Sequence, residues 1–367
     1  INVRFFKFFI YLLQNDHILY FVKINKIQIL IPGGGFYGGL ESLHQFVYMA
    51  NSLGVKISCV YIPTQNILGK NISFRKNINL KNYKIKIDRK IDDTKNVCIV
   101  VPETFTNYIR AIRKAKISIW WLSVDNYIDK IKSENQQNLR NYLVLFANFA
   151  RKIFFSFINL NHYAKSLSLN EIKNKKIIHL CQSYYSYEFL KKKKFKNLLI
   201  LKDFIQIRNR RKFKKNIDII LNSNKGQNYN ELFIKEYNEI FKIEKLKNMS
   251  LNQTQKKLHQ SKFFIDFGHH PGRDRIPREA VSQGSKILIK KEGAAKNKFD
   301  VNIDNNYKFT EYNLDNEMKI LEFLTINKIL DNNWYNVKAY SKKINNDKIE
   351  MKKQIKQFIK KINYEKK

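Results

Sequence analysis

The sequence predicts a two-domain α/β protein, each domain built on a mostly parallel sheet with helices on both faces. Three observations predict it. From Lys26 onward, short β-rich runs alternate with segments of helical period as far as about residue 201. Residues 206–216 (QIRNRRKFKKN) then form a polar, basic break. After it, the same alternation restarts at Ile217. Strands that alternate with helices are the mark of βαβ units and parallel pairing.

The elements follow in order. Ile27-Gln28-Ile29-Leu30-Ile31 is a strand stopped by Pro32 and a glycine cluster. Leu40, Leu43, Val47, Ala50 and Leu53 recur at helical spacing, and Gly54 ends that helix. Residues 55–61 and 97–101 read as strands, the second closed by Pro102. A short helix over about 105–115 leads to a strand over 117–122, whose Trp120 and Trp121 read as core. Strands at 177–180 and 198–201 flank a helix over about 184–193. Past the break come a strand at 217–221, a helix at 230–242 and a helix capped by Ser250 that runs to about 261. A strand at 262–267, a helix from about 277 and a strand at 286–289 follow. From about 316 the chain reads as helical, with a Lys-rich tail. The expected division is an apolar extension (1–25), a first domain (26–205), a linker (206–216), a second domain (217–315) and C-terminal helices (316–367).

Composition excludes several classes. With 367 residues, 44% hydrophobic and 14% aromatic, the chain can bury sizeable cores, which excludes a wholly disordered basic protein. Cys59, Cys98 and Cys181 lie far apart with no CxxC, which argues against a disulfide scaffold or a zinc knuckle. No stretch of about 18 apolar residues lacks a charge or amide, so the sequence offers no typical spanning helix. The net charge of +38 invites a nucleic-acid reading. However, 56 of the 69 basic residues are Lys and 13 are Arg, and the Lys residues are spread along the chain. Arg, whose planar fork pairs bidentately, is the usual reader of phosphates and bases. Neither a patch interleaved with aromatics nor a module signature is evident, so no nucleic-acid partner is expected. Residues 5–13 (FFKFFIYLL) are strongly apolar, and no small-residue cleavage site follows them. They read as a helix packed on the first domain or as a membrane-surface anchor flanked by Arg4, Lys7 and Lys23.

Two short segments hold much of the chain's special backbone and fork chemistry. The first, Pro32-Gly33-Gly34-Gly35-Phe36-Tyr37-Gly38-Gly39-Leu40-Glu41, leaves a strand and enters a helix. Its spacing is GGGxxGG, neither GxGxxG nor a P-loop. Gly34 and Gly35, with His44 on the helix beyond, are candidates to line a substrate cleft, because ligands of open α/β sheets bind beyond the carboxyl ends of the strands. The second segment, residues 265–280 (IDFGHHPGRDRIPREA), also joins a strand to a helix. Arg273, Arg275 and Arg278 can concentrate positive charge against a diphosphate. Glu279, in the first helical turn, can accept hydrogen bonds from sugar hydroxyls. Asp266 with His269 and His270 is a weak metal candidate, since adjacent histidines rarely point at one ion.

At these residues the sequence resembles a GT-B glycosyltransferase, GT4-like and of the kind found in bacterial polysaccharide and capsule gene clusters. Four segments carry the resemblance: 31–46 (IPGGGFYGGLESLHQF), 101–126 (VPETFTNYIRAIRKAKISIWWLSVDN), 179–192 (HLCQSYYSYEFLKK) and 265–289 (IDFGHHPGRDRIPREAVSQGSKILI). The resemblance implies two Rossmann-like domains facing across a cleft, with C-terminal helices. It implies transfer of a sugar from a nucleotide-diphosphate sugar to a glycan or lipid-linked acceptor, in the retaining mode. Pro277-Arg278-Glu279-Ala280 stands where such enzymes bind the nucleotide sugar, and the basic residue near the start of the donor domain maps to Lys225, before Gly226. The usual glutamate eight positions before Glu279 is Pro271 here, and Asp266, His270 or Asp274 are the candidates to replace it.

The expected roles follow from that resemblance. Arg273 and Arg275 with Glu279 would act on the leaving diphosphate and sugar, with Arg278, Lys225, Gly226, His270, Asp274 and Pro277 holding the donor. Asp125, on the loop after Trp121, would orient an acceptor hydroxyl; a turn aspartate is the plainer reading. No Asp-x-Asp occurs in the chain, so transfer without a metal or other cofactor is expected. A cytoplasmic protein, peripheral on the anionic inner membrane face, would suit a lipid-linked acceptor. A non-catalytic sugar-binding protein of the same fold is the runner-up, since the glutamate pair is incomplete; a basic nucleic-acid-binding protein is the more distant alternative.

Overall fold

Strand β1 (Lys26–Pro32) shows why the chain folds as it does: after Lys26 each of its residues is buried. A strand covered on both faces needs a near-continuous apolar run, and KIQILIP supplies one. Its exception, Gln28, donates to Asp88 Oδ2 (2.6 Å) and accepts from the Asp92 backbone N–H (2.8 Å), so its amide is satisfied. The structure is a computed structural model that describes residues 23–33, 38–62, 83–145, 165–206, 213–310 and 335–364. The apolar segment 5–13, Gly34, Gly35, the middle of the basic break and residues 311–334 lie outside the described residues.

The first domain continues with α1 (Gly38–Asn51), β2 (Ile57–Ile62), β3 (Ile87–Asp88) and β4 (Val97–Pro102). A 3₁₀ segment at Glu103–Arg110 leads to β5 (Lys116–Trp121), α2 (Val124–Leu145), α3 (Leu169–Lys173), β6 (Ile178–Cys181), α4 (Tyr184–Lys192) and β7 (Leu198–Ile200). Its sheet is parallel throughout, ordered β3-β2-β1-β4-β5-β6-β7. Ile29 lies opposite Cys59 on one side and Val100 on the other. Successive residues face opposite ways. Trp120 therefore packs with Phe46 in one core layer, and Trp121 with Tyr127 and Phe195 in the other.

The second domain holds β8 (Ile217–Asn222), α5 (Gln227–Tyr237), β9 (Ile243–Leu246), α6 (Leu251–Gln260), β10 (Ser261–Asp266), α7 (Arg275–Ser282), β11 (Lys286–Lys290) and β12 (Lys308–Phe309). Its sheet is also parallel, ordered β12-β11-β10-β8-β9. Ser250 caps α6 through a capping box with Gln253. Helix α7 begins at Arg275, so Pro277 sits in its first turn, where its missing N–H costs nothing.

The last helix, α8 (Tyr335–Tyr364), belongs to both domains. Its Tyr340 and Ile344 enter the second core, while Met351, Ile355, Phe358 and Ile362 enter the first. One helix thus straps two sheets together. In each sheet the strand order reverses at one place, between β1 and β4 and between β8 and β10. Such switch points open a crevice at the carboxyl ends of the strands.

Candidate active site

Both crevices open into one space. A cavity of about 620 Å³ is lined by Pro32, Gly38, Pro102 and Leu122 from the first domain and by Asn222, Lys225 and the segment 271–278 from the second. Proline ends β1 and β4 here, at the last register position of each strand, where the ladder stops and no further donor is needed.

The loop after β8 is built to present Lys225. Gly226 has φ +60°, and a Cβ there would come within 2.7 Å of Phe267 Cβ. Asn230 Nδ2 donates to the Asn222 and Lys225 carbonyls (2.8 and 3.0 Å) and pins the loop. The Lys225 ammonium donates to the His269 carbonyl (2.7 Å) and pairs with Asp274. His270 Nδ1 reaches Asp274 Oδ2 at 2.9 Å. Burial pushes the Asp274 carboxyl up, but His270 and Lys225 outweigh it and hold the group below its ordinary range.

Asp266, His270 and Asp274 form the one metal-like cluster among the described residues. The carboxylates of the cluster are committed, while His270 Nε2 is buried without a hydrogen-bond partner among the described residues. Asp266 accepts from Asn222 Nδ2 (2.8 Å) and from the Gly268 N–H (2.9 Å), and an ammonium already sits on Asp274. A cation held there would have to displace Lys225.

The three arginines have different fates. Arg273 donates to Asp347 Oδ2 of α8 at 2.7 Å, and Arg278 to Asp203 Oδ2 at 2.7 Å. Arg273 also reaches the Asp203 carbonyl at 3.1 Å. Both guanidinium groups are nearly inaccessible, at 1–2% side-chain exposure. A buried cation needs a carboxylate, and both carboxylates come from outside the segment. The expectation that all three arginines offer free charge to a diphosphate is therefore modified. Arg273 and Arg278 touch the cavity wall but spend their charge holding segment 271–278 against β7's exit and α8. Arg275 differs. It donates to Glu279 Oε1 (2.7 Å), pairs across the cleft with Glu41 of α1, and its buried Nη2 lacks a hydrogen-bond partner among the described residues.

The other expected residues fall as follows. Glu279 is fully buried behind Arg275, with Gln255 Nε2 at 3.4 Å, rather than open to a sugar. His44 is fully buried, with Nδ1 on the Leu40 carbonyl (2.7 Å) and Nε2 on Tyr61 Oη (2.7 Å), which turns it away from the cavity lining. Asp125 stands in the first turn of α2; its oxygens take Tyr185 Oη (2.9 Å) and His269 Nε2 (2.6 Å), so it joins the two domains. Asp300 does the same from the other side, accepting the Tyr184 and Tyr185 N–H groups (both 2.8 Å) at the start of α4. Lys225, Asp274, Arg275 and Pro277 line the cavity together.

Several lining residues escaped the sequence reading, Asp203 and Glu103 among them. Glu103, 2% exposed at the end of β4, accepts from the Leu122 and Ser123 N–H groups (3.0 and 3.2 Å). Burial raises its carboxyl to about 7, against the pull of those N–H groups and Lys130. Only its place directly after Pro102, itself a strand stop, could have drawn notice.

No family profile and no curated protein matches the sequence. Solved structures do match the fold. The Anabaena protein HepE in complex with UDP-glucose superposes with a TM-score of 0.58 at 10% identity, over 92% of this chain and 99% of HepE. A glycosyltransferase from Rickettsia africae gives 0.55 at 12% identity, over 93% and 99%. Phage T4 BGT in complex with UDP and Mn²⁺ gives 0.52 at 12% identity, over 92% and 99%. The architecture is the GT-B fold.

Proposed function

We propose that this chain, with its GT-B fold, is a glycosyltransferase that moves a sugar from a nucleotide-diphosphate sugar to a glycan or lipid-linked acceptor in surface polysaccharide assembly. The observation that carries the reading is the cavity where both sheets' switch points meet, with Lys225 and Arg275 in its wall. UDP-sugars are the first donors to test, because HepE is described with UDP-glucose and BGT with UDP.

The donor's diphosphate would lie between Lys225, Arg275 and the N-terminal end of α7. As the bond from the sugar's C1 to the diphosphate oxygen breaks, its electron pair moves onto the diphosphate and the sugar gains oxocarbenium character. Fixed cations there favour the transition state over the ground state. The acceptor hydroxyl attacks C1, and its proton passes to the departing phosphate oxygen if the configuration is retained. Arg273 and Arg278 act as supports that fix the segment bearing Arg275. Lys225, in the place a cation would take beside Asp274, supports transfer without a resident metal.

The test is a panel of UDP-, GDP- and dTDP-sugars, read by melting shift and nucleotide release, with and without EDTA. A stabilising shift and slow release with one donor, unchanged by EDTA, is expected. Absence of any shift across the panel would refute the transferase reading. A shift without release on any acceptor would favour a sugar-binding protein, a reading motivated by Pro271 at the position of the second glutamate.

A further inference from the structure

We propose that Glu41 sets how tightly, and for how long, the donor's diphosphate is held, by competing with it for Arg275. The inference rests on the reading of Arg275 as a diphosphate cation. Arg275 opens α7 of the second domain and meets two carboxylates. One is Glu279, a turn further along the same helix, at 2.7 Å. The other is Glu41, on α1 of the first domain. Both carboxylates are buried, at 0–1% side-chain exposure, and the arginine is 11% exposed. One cation between two anions leaves negative charge in excess. A diphosphate brought to Arg275 meets that excess, and like charges repel more strongly in a poorly hydrated wall than in bulk water. Binding is relieved when one carboxylate withdraws.

The fold decides which one withdraws. Glu279 shares a helix with Arg275 and moves with it. Glu41 belongs to the other domain, where its Oε1 accepts from Tyr83 Oη at 2.7 Å. Tyr83 is itself buried and receives Gln45 Nε2 at 3.3 Å. Glu41 is thus anchored within the first domain and keeps a hydrogen bond there when Arg275 leaves it. The start of α1 abuts the start of α7, since a Cβ on Gly38 would lie 3.9 Å from Arg275 Cβ. A small parting of these two helix starts separates Arg275 from Glu41 and leaves its bond to Glu279 intact. Arg275 lines the cavity, and its buried Nη2 has no hydrogen-bond partner among the described residues. The guanidinium therefore has a donor left over for a phosphate oxygen that the parting admits. When the nucleotide leaves, Glu41 takes Arg275 back, which speeds release.

The test is titration calorimetry of the full chain with UDP, UMP, uridine and inorganic pyrophosphate, on the parent and on Glu41→Gln. Gln keeps the size of Glu and an oxygen for Tyr83, and removes the charge. Glu41→Gln should bind UDP about tenfold more tightly, UMP by a smaller factor and uridine as the parent does, because the competition is with charge. Displacement kinetics should show the gain as slower UDP release. Glu41→Met, uncharged and of similar length, should give the same gain; a gain with Gln and none with Met would assign it to a new amide contact and overturn the proposal. Weaker UDP binding by Glu41→Gln would also overturn it, since Glu41 would then position Arg275 for the donor. A rise in uridine affinity equal to that for UDP would do the same. Pyrophosphate carries no base, so it reads the competition for Arg275 whichever nucleotide the donor bears. Equal UDP and pyrophosphate binding by parent and variants would overturn this inference and leave the transferase reading standing. No binding of UDP or pyrophosphate by any of the three proteins would overturn both.

Discussion

Asp347→Ala tests whether the arginine-rich segment is held from the C-terminal helix. Four charged groups share this site: Arg273 and Arg278 at 1–2% side-chain exposure, Asp347 at 2% and Asp203 at 7%. Asp347 lies 2.7 Å from Arg273 and 3.9 Å from Arg278. Two cations facing two anions are neutral as a set. Removing Asp347 leaves one buried positive charge uncompensated, beside Lys202 and Lys343, which already repel Arg273. Breaking a buried pair in this way costs about 3–5 kcal/mol. With a urea slope of about 3 kcal/mol/M, the midpoint of the transition should fall by about 1 M or more.

Urea unfolding followed by far-ultraviolet dichroism reads the loss. A companion variant, Arg273→Met with Asp347→Leu, removes both charges while keeping volume, and should recover most of it, because buried ion pairs replaced by packed apolar residues are close to neutral in stability. A fall of less than about 0.3 M for Asp347→Ala, or a double variant as unstable as the single one, would refute the reasoning.

Three further outcomes are expected. Lys225→Ala and Arg275→Ala should each weaken UDP-sugar binding by about tenfold or more, seen by calorimetry; the unfolding midpoint should stay near the parent's for Lys225→Ala but fall for Arg275→Ala, which leaves the buried Glu41 and Glu279 without their cation, and equal donor affinity would remove these residues from the diphosphate site. Glu103, whose folded carboxyl titrates at about 7 against an unfolded value of 4.5, binds its proton more tightly when folded, so its contribution is fully present below about pH 4.5 and is lost as pH rises through about 7. Urea midpoints at pH 5 and pH 8 should therefore differ less in Glu103→Gln than in the parent, and identical pH profiles would contradict this. Gly272→Ala should separate the domains locally, since its Cβ would lie 2.5 Å from the Leu122 carbonyl oxygen; reduced donor binding with a lowered melting temperature is the expected readout, and parent-like values for both would show that the contact yields freely.

The strands were legible because each is buried on both faces and must be apolar without interruption, as in VCIVVP of β4. Helix α2 was not, because its first half, from Asp125 to Asn135, is mostly polar and, among its described side chains, Val124 and Tyr127 are the buried ones. The site was half legible for a related reason. Local sequence shows which cations lie close together, but whether a cation is free depends on carboxylates that the fold brings from elsewhere. Arg273 and Arg278 themselves touch the cavity wall, yet their partners stand at Asp203 and Asp347, about 70 residues away on either side. Arg275 lies between them and meets Glu41, on the other domain. A charge count along the chain reads these three as one cluster. The fold separates them into two anchors and one group that faces the cleft, so the electrostatics of the donor site rest on Arg275 and Lys225.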